Sequence, residues 1–231
     1  MLIRTDRQTE KDIKLWKEYE EIDKIIKVPE YKIELTENAI IKFCNLHEDT
    51  VIYTSWGKDS IVLLYFICKL KIKNPVLYVR FDDRDNPDCD LVRDEFIKNH
   101  KINYHEEVYE YKRVRAKGLH WKETADKYGK HRITGIRNDE SGRRLLNWKM
   151  YGFYSENSCR PISLWKNEEI FAFIEQNNLP LCPVYAYLGG GRWKRENIRT
   201  HSLAGSTADG FGRTEWEIEY YSDILNKIKK M

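Results

Sequence analysis

The feature that most constrains this chain is an apolar run that breaks abruptly and then resumes. Residues 50–54 read TVIYT, residues 55–60 read SWGKDS, and residues 61–70 read IVLLYFICKL. A β-branched stretch, a small polar turn with a lysine, and a return to helical periodicity together predict a strand that enters a helix through a phosphate-binding turn.

The chain on either side of this turn alternates between strand-like and helix-like segments. Apolar runs predict further strands at residues 76–83, 102–111 and 132–136, and residues 161–164 are predicted to be extended. Helical spacing predicts helices at residues 8–27, 36–46, 60–71, 88–100, 166–178 and 214–230, with Val28-Pro29 ending the first of them. This alternation predicts an α/β fold, a doubly wound and mostly parallel sheet with helices on both faces. Such sheets bind ligands at the carboxyl ends of their strands, near the point where the strand order reverses.

Composition narrows the class of protein. A length of 231 residues suits one α/β domain of full size, or one domain with an appendage. The composition, 41% hydrophobic and 33% charged, predicts a packed core and a very polar surface. The longest apolar run, residues 61–68, is far shorter than a membrane span of roughly 20 residues, so we expect a cytoplasmic protein without membrane contact. A formal net charge of +3 is too small to indicate a nucleic-acid partner by itself.

The turn carries the groups that a phosphate site needs. Gly57 permits a close backbone approach, and the first N–H groups of the helix that follows have no intrahelical acceptor. Lys58 supplies a full charge, while Ser55 and Ser60 supply hydroxyls. Asp59 would repel phosphate unless a magnesium ion or a helix-start N–H engages it, which makes Asp59 a weak candidate for a Mg²⁺ ligand.

Four stretches in register resemble one known family. SWGKDS resembles the pyrophosphate loop of the N-type ATP pyrophosphatase superfamily rather than the kinase-type GxxxxGK loop. VRFDDRD, with Asp82 at the matching place, GIRNDESGRR at 135–144 and RPISLWKNEEIFAFIEQNNLPLCPVY at 160–185 resemble segments of the phosphoadenosine phosphosulfate (PAPS) reductase and sulfate adenylyltransferase small-subunit family. The resemblance runs from about residue 50 to 187 and implies a Rossmann-like, adenine nucleotide alpha-hydrolase-like fold.

Two departures from the family pattern favour its sulfate adenylyltransferase-like members. Trp56 replaces the usual second-position glycine, and those members tolerate a large side chain there. The C-terminal catalytic cysteine of PAPS reductases has no counterpart, because the last cysteine of this chain is Cys182. Without that thiol the family's attack on the sulfonyl group has no nucleophile, so we do not expect a PAPS reductase proper.

The resemblance implies a nucleotidyltransferase or ATP pyrophosphatase that uses ATP and Mg²⁺. The implied reaction is adenylyl transfer to an oxyanion or related acceptor with release of pyrophosphate, a reaction that depends on positioning and charge stabilisation. The implied catalytic residues are Lys58, Asp59 and Arg137, and the implied nucleotide-binding residues are Ser55, Trp56, Gly57, Lys58, Asp59, Ser60, Asp82 and Gly135. The guanidinium groups of the arginines can bind a second oxyanion through two N–H groups at once. The implied anion-binding residues are Arg137, Asp139, Glu140, Ser141, Arg143, Arg144 and Arg160.

Two other functions remain open from the sequence. One is a sulfonucleotide enzyme that binds PAPS or adenosine phosphosulfate (APS) without the C-terminal cysteine. The other is a nucleotide-binding partner module, or a component of nucleic-acid modification, without turnover of its own.

The chain is predicted to have three parts. Residues 1–48 form a helical extension on or beside the core, residues 49–187 form the nucleotide-binding core, and residues 188–231 form a basic, Gly-rich loop and a terminal helix. The helix at 8–27 either packs on its own domain or contacts a protein partner or a second copy. The basic segment 192–199 is a solvated loop, a substrate lid or a nucleic-acid contact, of which nucleic acid is not favoured.

Overall fold

The computed structural model describes residues 1–81, 84–110, 119–200, 202–204 and 213–230. No helix in these ranges is both long enough and apolar enough to span a membrane. The elements are, in chain order, α1 (Glu10–Ile25), α2 (Glu30–Leu46), β1 (Thr50–Thr54), α3 (Lys58–Lys69), β2 (Val76–Phe81), α4 (Asp88–Asn99), β3 (Tyr104–Tyr109), α5 (Leu119–Tyr128), β4 (His131–Thr134), α6 (Gly142–Tyr151), β5 (Tyr154–Ser155), β6 (Ser158–Cys159), α7 (Asn167–Gln176) and α8 (Arg213–Ile228).

The six described strands form one sheet in the order β3-β2-β1-β4-β6-β5. In this order, the neighbouring strands β3, β2, β1, β4 and β6 pair in parallel. The edge strand β5 pairs antiparallel with β6. At the centre, Ile52 of β1 lies opposite Val76 of β2 and Ile133 of β4. The chain moves outward from β1 through β2 to β3 and then returns to the other side of β1 as β4. The predicted doubly wound, mostly parallel α/β fold is therefore confirmed, and its strand order reverses between β1 and β4.

The centre of the core is the β1–α3 unit. Val51 and Ile52 of β1 are fully buried, and α3 buries the run Ile61–Leu64 on every side of the helix. A helix that is apolar all round must be covered all round, and α3 contacts β1, α2 and α7. The N-terminus of α3 is therefore held on a well-packed element.

The inward face of α1 packs on its own chain. Trp16 lies edge-on to Phe171 of α7 with ring centroids 6.1 Å apart. Asp23 pairs with Arg195 through a buried contact of 2.6 Å. Of the two alternatives for the helix at 8–27, these contacts favour packing within the chain.

Two local predictions were wrong. The second helix begins at Glu30 rather than Thr36, because Pro29 occupies the position before its first turn instead of only ending the previous helix. Residues 161–164 form a turn rather than an extended segment, and the N–H of Ser163 donates to the carbonyl of Arg160 at 3.1 Å.

Two helices were not predicted. Helix α5 falls in a polar and aromatic stretch, and α6 buries none of its residues.

Asp12 connects α1 to the C-terminal part of the chain. The carboxylate is fully buried and accepts hydrogen bonds from the N–H groups of Leu188 at 3.1 Å and Gly190 at 2.9 Å, and from the Tyr220 hydroxyl at 2.9 Å. It also caps its own helix by accepting from the Thr9 N–H at 3.2 Å. One acceptor group thus satisfies donors from several separate segments.

We expect Asp12→Asn to lower the free energy of unfolding by about 2–4 kcal/mol, because the new amide NH₂ would face groups that are themselves donors. Urea unfolding of wild type and variant measures the difference. Asp6→Asn is the control, since Asp6 is exposed. Equal losses in the two variants would contradict the role given to Asp12.

Candidate functional site

A cleft of about 400 Å³ opens at the carboxyl ends of β1, β2 and β4. Its walls are the first turn of α3, the segment after β4, one side chain of α6, residues 199–202 as far as they are described, and a group of aromatic side chains. The strand order reverses between β1 and β4, so the cleft lies where doubly wound sheets bind their ligands.

The Ser60 hydroxyl stabilises the turn from residue 55 to 60. Ser60 Oγ accepts from the N–H of Ser55 at 3.2 Å, donates to the carbonyl of Gly57 at 3.0 Å and lies 3.1 Å from Ser55 Oγ. These contacts close the turn on itself. The hydroxyls of Ser55 and Ser60 both lie at the lining of the cleft.

The first turn of α3 presents backbone N–H groups to the cleft. The N–H of Lys58 donates to the Tyr185 hydroxyl at 3.1 Å, and the N–H of Ile61 donates to the carbonyl of Gly57 at 3.0 Å. The N–H groups of Asp59 and Ser60 meet no acceptor within the described part of the chain. Two donors at a helix N-terminus are thus left for an anion.

Two glycines allow the cleft walls to approach one another. A Cβ on Gly135, just after β4, would lie 3.0 Å from the carbonyl oxygen of Asp59 and 3.1 Å from the nitrogen of Ser60. A Cβ on Gly57 would lie 2.7 Å from Thr200 Oγ1. At Gly135 the neighbouring atoms are backbone and would have to move by a few tenths of an ångström, whereas at Gly57 the neighbour is a side-chain hydroxyl.

Asp59 joins two cations beneath the turn. Its Oδ2 lies 2.8 Å from Lys58 Nζ, and its Oδ1 lies 2.5 Å from Arg137 Nε. Burial lowers the pKa of Lys58 to about 8. Burial alone would raise the pKa of Asp59, but the charges of Lys58 and Arg137 outweigh it and hold that pKa below its ordinary value. The three groups form a charge network between α3 and the segment after β4.

The network places two predicted catalytic residues behind the cleft surface. Lys58 is fully buried, and its ammonium lies 5.8 Å from the ring centroid of Phe171 and 5.6 Å from that of Tyr185. Arg137 is 1% exposed and also bonds Asp139 at 2.5 Å. Lys58 and Arg137 act on the cleft by pairing with Asp59, which lines it.

Trp56 is buried in the same way. Its indole packs among the rings of Tyr78, Phe96 and Tyr104, with centroids 5.6–6.4 Å away. The side chain therefore belongs to the core, and Trp56 does not line the cleft.

Two arginines at the mouth of the cleft lie beside the same carboxylate. Glu140 pairs with Arg144 of α6 and lies 3.7 Å from Arg199 Nε. Burial, followed by the charge of Arg199, lowers the pKa of Arg144. Both guanidinium groups line the cleft, so an anion bound there would meet two positive charges for one negative one.

The opposite wall is aromatic. Tyr53, Phe81, His120 and Trp121 line it, and the rings of Tyr53 and Trp121 lie 5.2 Å apart. Such a wall suits the flat face of a nucleobase. Asp85 lies in the same cleft, where burial raises its pKa to about 6 even though it accepts a 2.7 Å hydrogen bond from the Tyr78 hydroxyl.

A second cavity of about 330 Å³ adjoins the cleft and shares Ile136 and Arg144 with it. It lies between α6 and the turn at residues 160–163. Arg143 and Arg160 line this cavity and not the cleft. Ser141 also lines it, and its hydroxyl caps α6 by accepting from the N–H of Arg144 at 3.3 Å.

The structure thus separates the predicted site residues into groups. Those that line the cleft are Ser55, Gly57, Asp59, Ser60, Gly135, Glu140 and Arg144. Those behind it are Trp56, Lys58 and Arg137, with Asp139 paired to the last. Those in the second cavity are Arg137, Ser141, Arg143, Arg144 and Arg160. Asp82 lies outside the described residues.

Sequence reasoning missed several cleft residues. Asp85 stands in the quoted VRFDDRD string, and Arg199 stands in the basic segment, so both were visible without being chosen. Tyr185 ends the last resembling segment. The aromatic wall gave no local signal, because its members come from β1, β2 and α5.

The basic segment 192–199 does not act as one unit. Arg195 is buried against Asp23, and Arg192 lies over the ring of Trp193 at 4.6 Å. Arg199 alone among these lines the cleft. The arginines of this segment therefore make separate local contacts, and the nucleic-acid contact considered for residues 192–199 stays a prediction.

The described residues do not fit a ready magnesium site. No cluster of three or more His, Cys, Asp or Glu side chains suited to a metal occurs in the part of the chain that the structure describes. Asp59, the predicted weak ligand, already has one oxygen on Lys58 and the other on Arg137.

Comparison with known proteins agrees with this architecture. The family model described as phosphoadenosine phosphosulfate reductase domain matches residues 49–188. The chain belongs to this family. The predicted PAPS reductase resemblance is therefore confirmed, although no curated protein matches the sequence significantly.

Several solved structures are similar to this chain at low sequence identity. FMN adenylyltransferase of Candida glabrata in complex with ATP has a TM-score of 0.53 and 18% identity over 76% of this chain and 67% of its own. NMN synthetase of Francisella tularensis has a TM-score of 0.49 and 17% identity over 87% and 90%. PAPS reductase of Candida auris, a phosphate complex, has a TM-score of 0.45 and 14% identity over 68% and 91%. At 18% identity the likeness to FMN adenylyltransferase concerns the fold alone.

We expect Gly135→Ala to destabilise the fold by about 1–3 kcal/mol, because the new methyl group would press on the first turn of α3. Gly142→Ala is the matched control. A Cβ there meets nothing within 4 Å, so the same change in a helix should stabilise by about 0.5–1 kcal/mol. Urea unfolding of both variants tests the opposite signs. A neutral Gly135→Ala would contradict the close approach.

Asp85 gives a pH-dependent prediction. Its pKa is raised from 3.8 to about 6, so the folded state favours the protonated form, and stability is lost as pH rises from about 4 to about 6. At pH 7 the charged group costs up to about 3 kcal/mol at 1.36 kcal/mol per pKa unit.

We therefore expect Asp85→Asn to be more stable than wild type at pH 7 and similar to it at pH 4. Urea unfolding at the two pH values measures this, with Asp126→Asn on the exposed face of α5 as the control. A constant difference between Asp85→Asn and wild type at both pH values would contradict the raised pKa.

Proposed function

We propose that this PAPS reductase family protein is an adenine-nucleotide-binding enzyme that transfers an adenylyl group from ATP to an oxyanion or related acceptor and releases pyrophosphate. The observation that carries the proposal is the cleft at the strand-order reversal. It combines unpartnered N–H groups at a helix N-terminus, two arginines at the mouth and an aromatic wall.

In this proposal the phosphates lie at the first turn of α3. The N–H groups of Asp59 and Ser60, together with the hydroxyl of Ser55, donate to phosphate oxygens. Arg144 and Arg199 approach from the mouth of the cleft and offset the charge of the departing pyrophosphate. The aromatic wall takes the adenine ring.

The network of Lys58, Asp59 and Arg137 determines the net charge next to the bound phosphates. Lys58 and Arg137 neutralise Asp59, which would otherwise present a full negative charge at the cleft lining. Their proposed role in catalysis is therefore to hold Asp59 and the turn in a state that accepts an anion. Like charges a few ångströms apart at a buried site oppose binding strongly.

We expect Lys58→Met to weaken ATP binding by about tenfold or more and to abolish pyrophosphate release, because Asp59 loses one of its two cations while the packing of the lysine stem is kept. Calorimetric titration with ATP and Mg²⁺ and a pyrophosphate-release assay across candidate oxyanions measure the two effects. The control is Lys69→Met on the same helix, whose ammonium is exposed and pairs with Glu37.

Titrations with PAPS, APS and adenosine 3′,5′-bisphosphate separate the alternatives. ATP as the preferred ligand supports adenylyl transfer, whereas selective binding of PAPS or the bisphosphate supports the sulfonucleotide enzyme. Wild-type pyrophosphate release by Lys58→Met would overturn the role of the turn, and failure of all four nucleotides to bind would overturn the proposal.

A further inference from the structure

The second cavity contains an unusual concentration of unsatisfied polar groups. Twelve buried side-chain N and O atoms of the described residues have no hydrogen-bond partner, and five of them belong to residues that line this cavity. They are Arg160 Nε, Arg160 Nη2, Ser163 Oγ, Trp148 Nε1 and Asn147 Oδ1. Buried polar groups are normally paired, because each orphan costs free energy, so a cluster of them around one space marks a place for a ligand.

The charge of Arg160 is likewise uncompensated. No ion pair or hydrogen bond joins its guanidinium to any residue in the described ranges, and burial, together with the charge of Arg132, lowers its pKa. Ser163 beside it is only 2% exposed. Arg160 itself is half-buried, but its Nε and Nη2 atoms are out of contact with water and have no acceptor, which is the pattern expected when a bound anion completes the site.

The chemistry of the five atoms describes the ligand. Nε and Nη2 lie on one edge of the guanidinium and match the two oxygens of a carboxylate. The Ser163 hydroxyl and the Trp148 N–H add donors, while Asn147 Oδ1 requires an N–H or O–H from the ligand. Inorganic sulfate has no proton to donate to Asn147, and it would fill only a small part of a cavity of about 330 Å³.

We propose that the second cavity binds a small organic acid, with its carboxylate on Arg160 and Ser163 and an N–H or O–H group on Asn147, and that this acid is the acceptor for ATP in the cleft. In the transfer, one carboxylate oxygen forms a bond to the α-phosphorus, the bond between the α- and β-phosphates breaks, and pyrophosphate leaves with that electron pair. The cavity shares Ile136 and Arg144 with the cleft, so the two ligands would be neighbours. The role of the acid as acceptor rests on the proposed function, whereas its binding in the second cavity does not.

The binding test uses 4-aminobenzoate, its methyl ester and inorganic sulfate as probes on the full chain. Nuclear magnetic resonance of the arginine Nε–H and tryptophan Nε1–H groups follows the site directly. We expect 4-aminobenzoate to shift the signals of Arg160 and Trp148, and the ester to bind about tenfold or more weakly. Sulfate that binds as tightly as 4-aminobenzoate, or an absence of shifts with every probe, would overturn the proposal.

The second test needs no ligand. We expect Arg160→Met to raise the melting temperature of the ligand-free protein by about 2–4 °C, because it removes an uncompensated charge, and to lose the response to 4-aminobenzoate. A structural arginine would give a lower melting temperature instead, and that outcome would overturn the inference. Arg192→Met is the control, since Arg192 is exposed and lines neither cavity.

Nucleotide titrations distinguish this inference from the proposed function. If ATP binds and the acid does not, the second cavity is not a ligand site and the inference alone falls. If the acid binds and no nucleotide does, the acceptor role is overturned. Tighter binding of 4-aminobenzoate in the presence of ATP would support the two as neighbouring substrates.

Discussion

The geometry of the candidate site depends on one buried carboxylate. Asp59 is the second residue of α3, and its two oxygens face Lys58 from the same turn and Arg137 from the segment after β4. Lys58 and Arg137 are buried, and Asp59 is mostly so. Loss of Asp59 would leave the buried ammonium of Lys58 without a carboxylate partner, whereas Arg137 would keep Asp139. The pairing therefore fixes the start of α3 against the segment after β4, and the cleft lies between them. The same pairing neutralises a carboxylate that would repel an anionic ligand.

This network is supported by elements that lie outside the β1–α3 unit. The rings of Phe171 and Tyr185 flank the ammonium of Lys58. The Tyr185 hydroxyl also accepts a hydrogen bond from the backbone N–H of Lys58. Phe171 in turn packs against Trp16, and Arg195 lies over both rings while it pairs with Asp23. The N-terminal helix thus contributes to the site without touching the cleft, whereas the segment after α7 supplies Tyr185 and Arg199 to the cleft lining itself. Their function is to keep a charged residue in a place where water would otherwise compete for it.

The sequence predicted the parts of the fold whose signal is local. The strands β1 and β2, the helix α3 and the turn between β1 and α3 follow from unbroken apolar runs and one glycine, and the parallel sheet follows from their alternation. The side-chain directions at the turn could not be predicted in this way. Nothing in SWGKDS shows that Lys58 points between two aromatic rings supplied by residues far along the chain. The division of the arginines between two cavities is likewise a tertiary fact, because Arg144 and Arg143 are neighbours in sequence but only the former reaches the cleft.

Trp56 shows how a side chain can replace the backbone freedom of glycine. Its φ of +56° lies in the left-handed region, where a bulky residue pays roughly 1–3 kcal/mol. Its indole is fully buried among three other rings, and burial of so large an aromatic surface outweighs that cost. A glycine would reach the same conformation without strain, but it would lose more entropy on folding. The tryptophan therefore exchanges a flexible turn for one that is anchored in the core, and the N–H groups that follow it are held in position before any anion arrives.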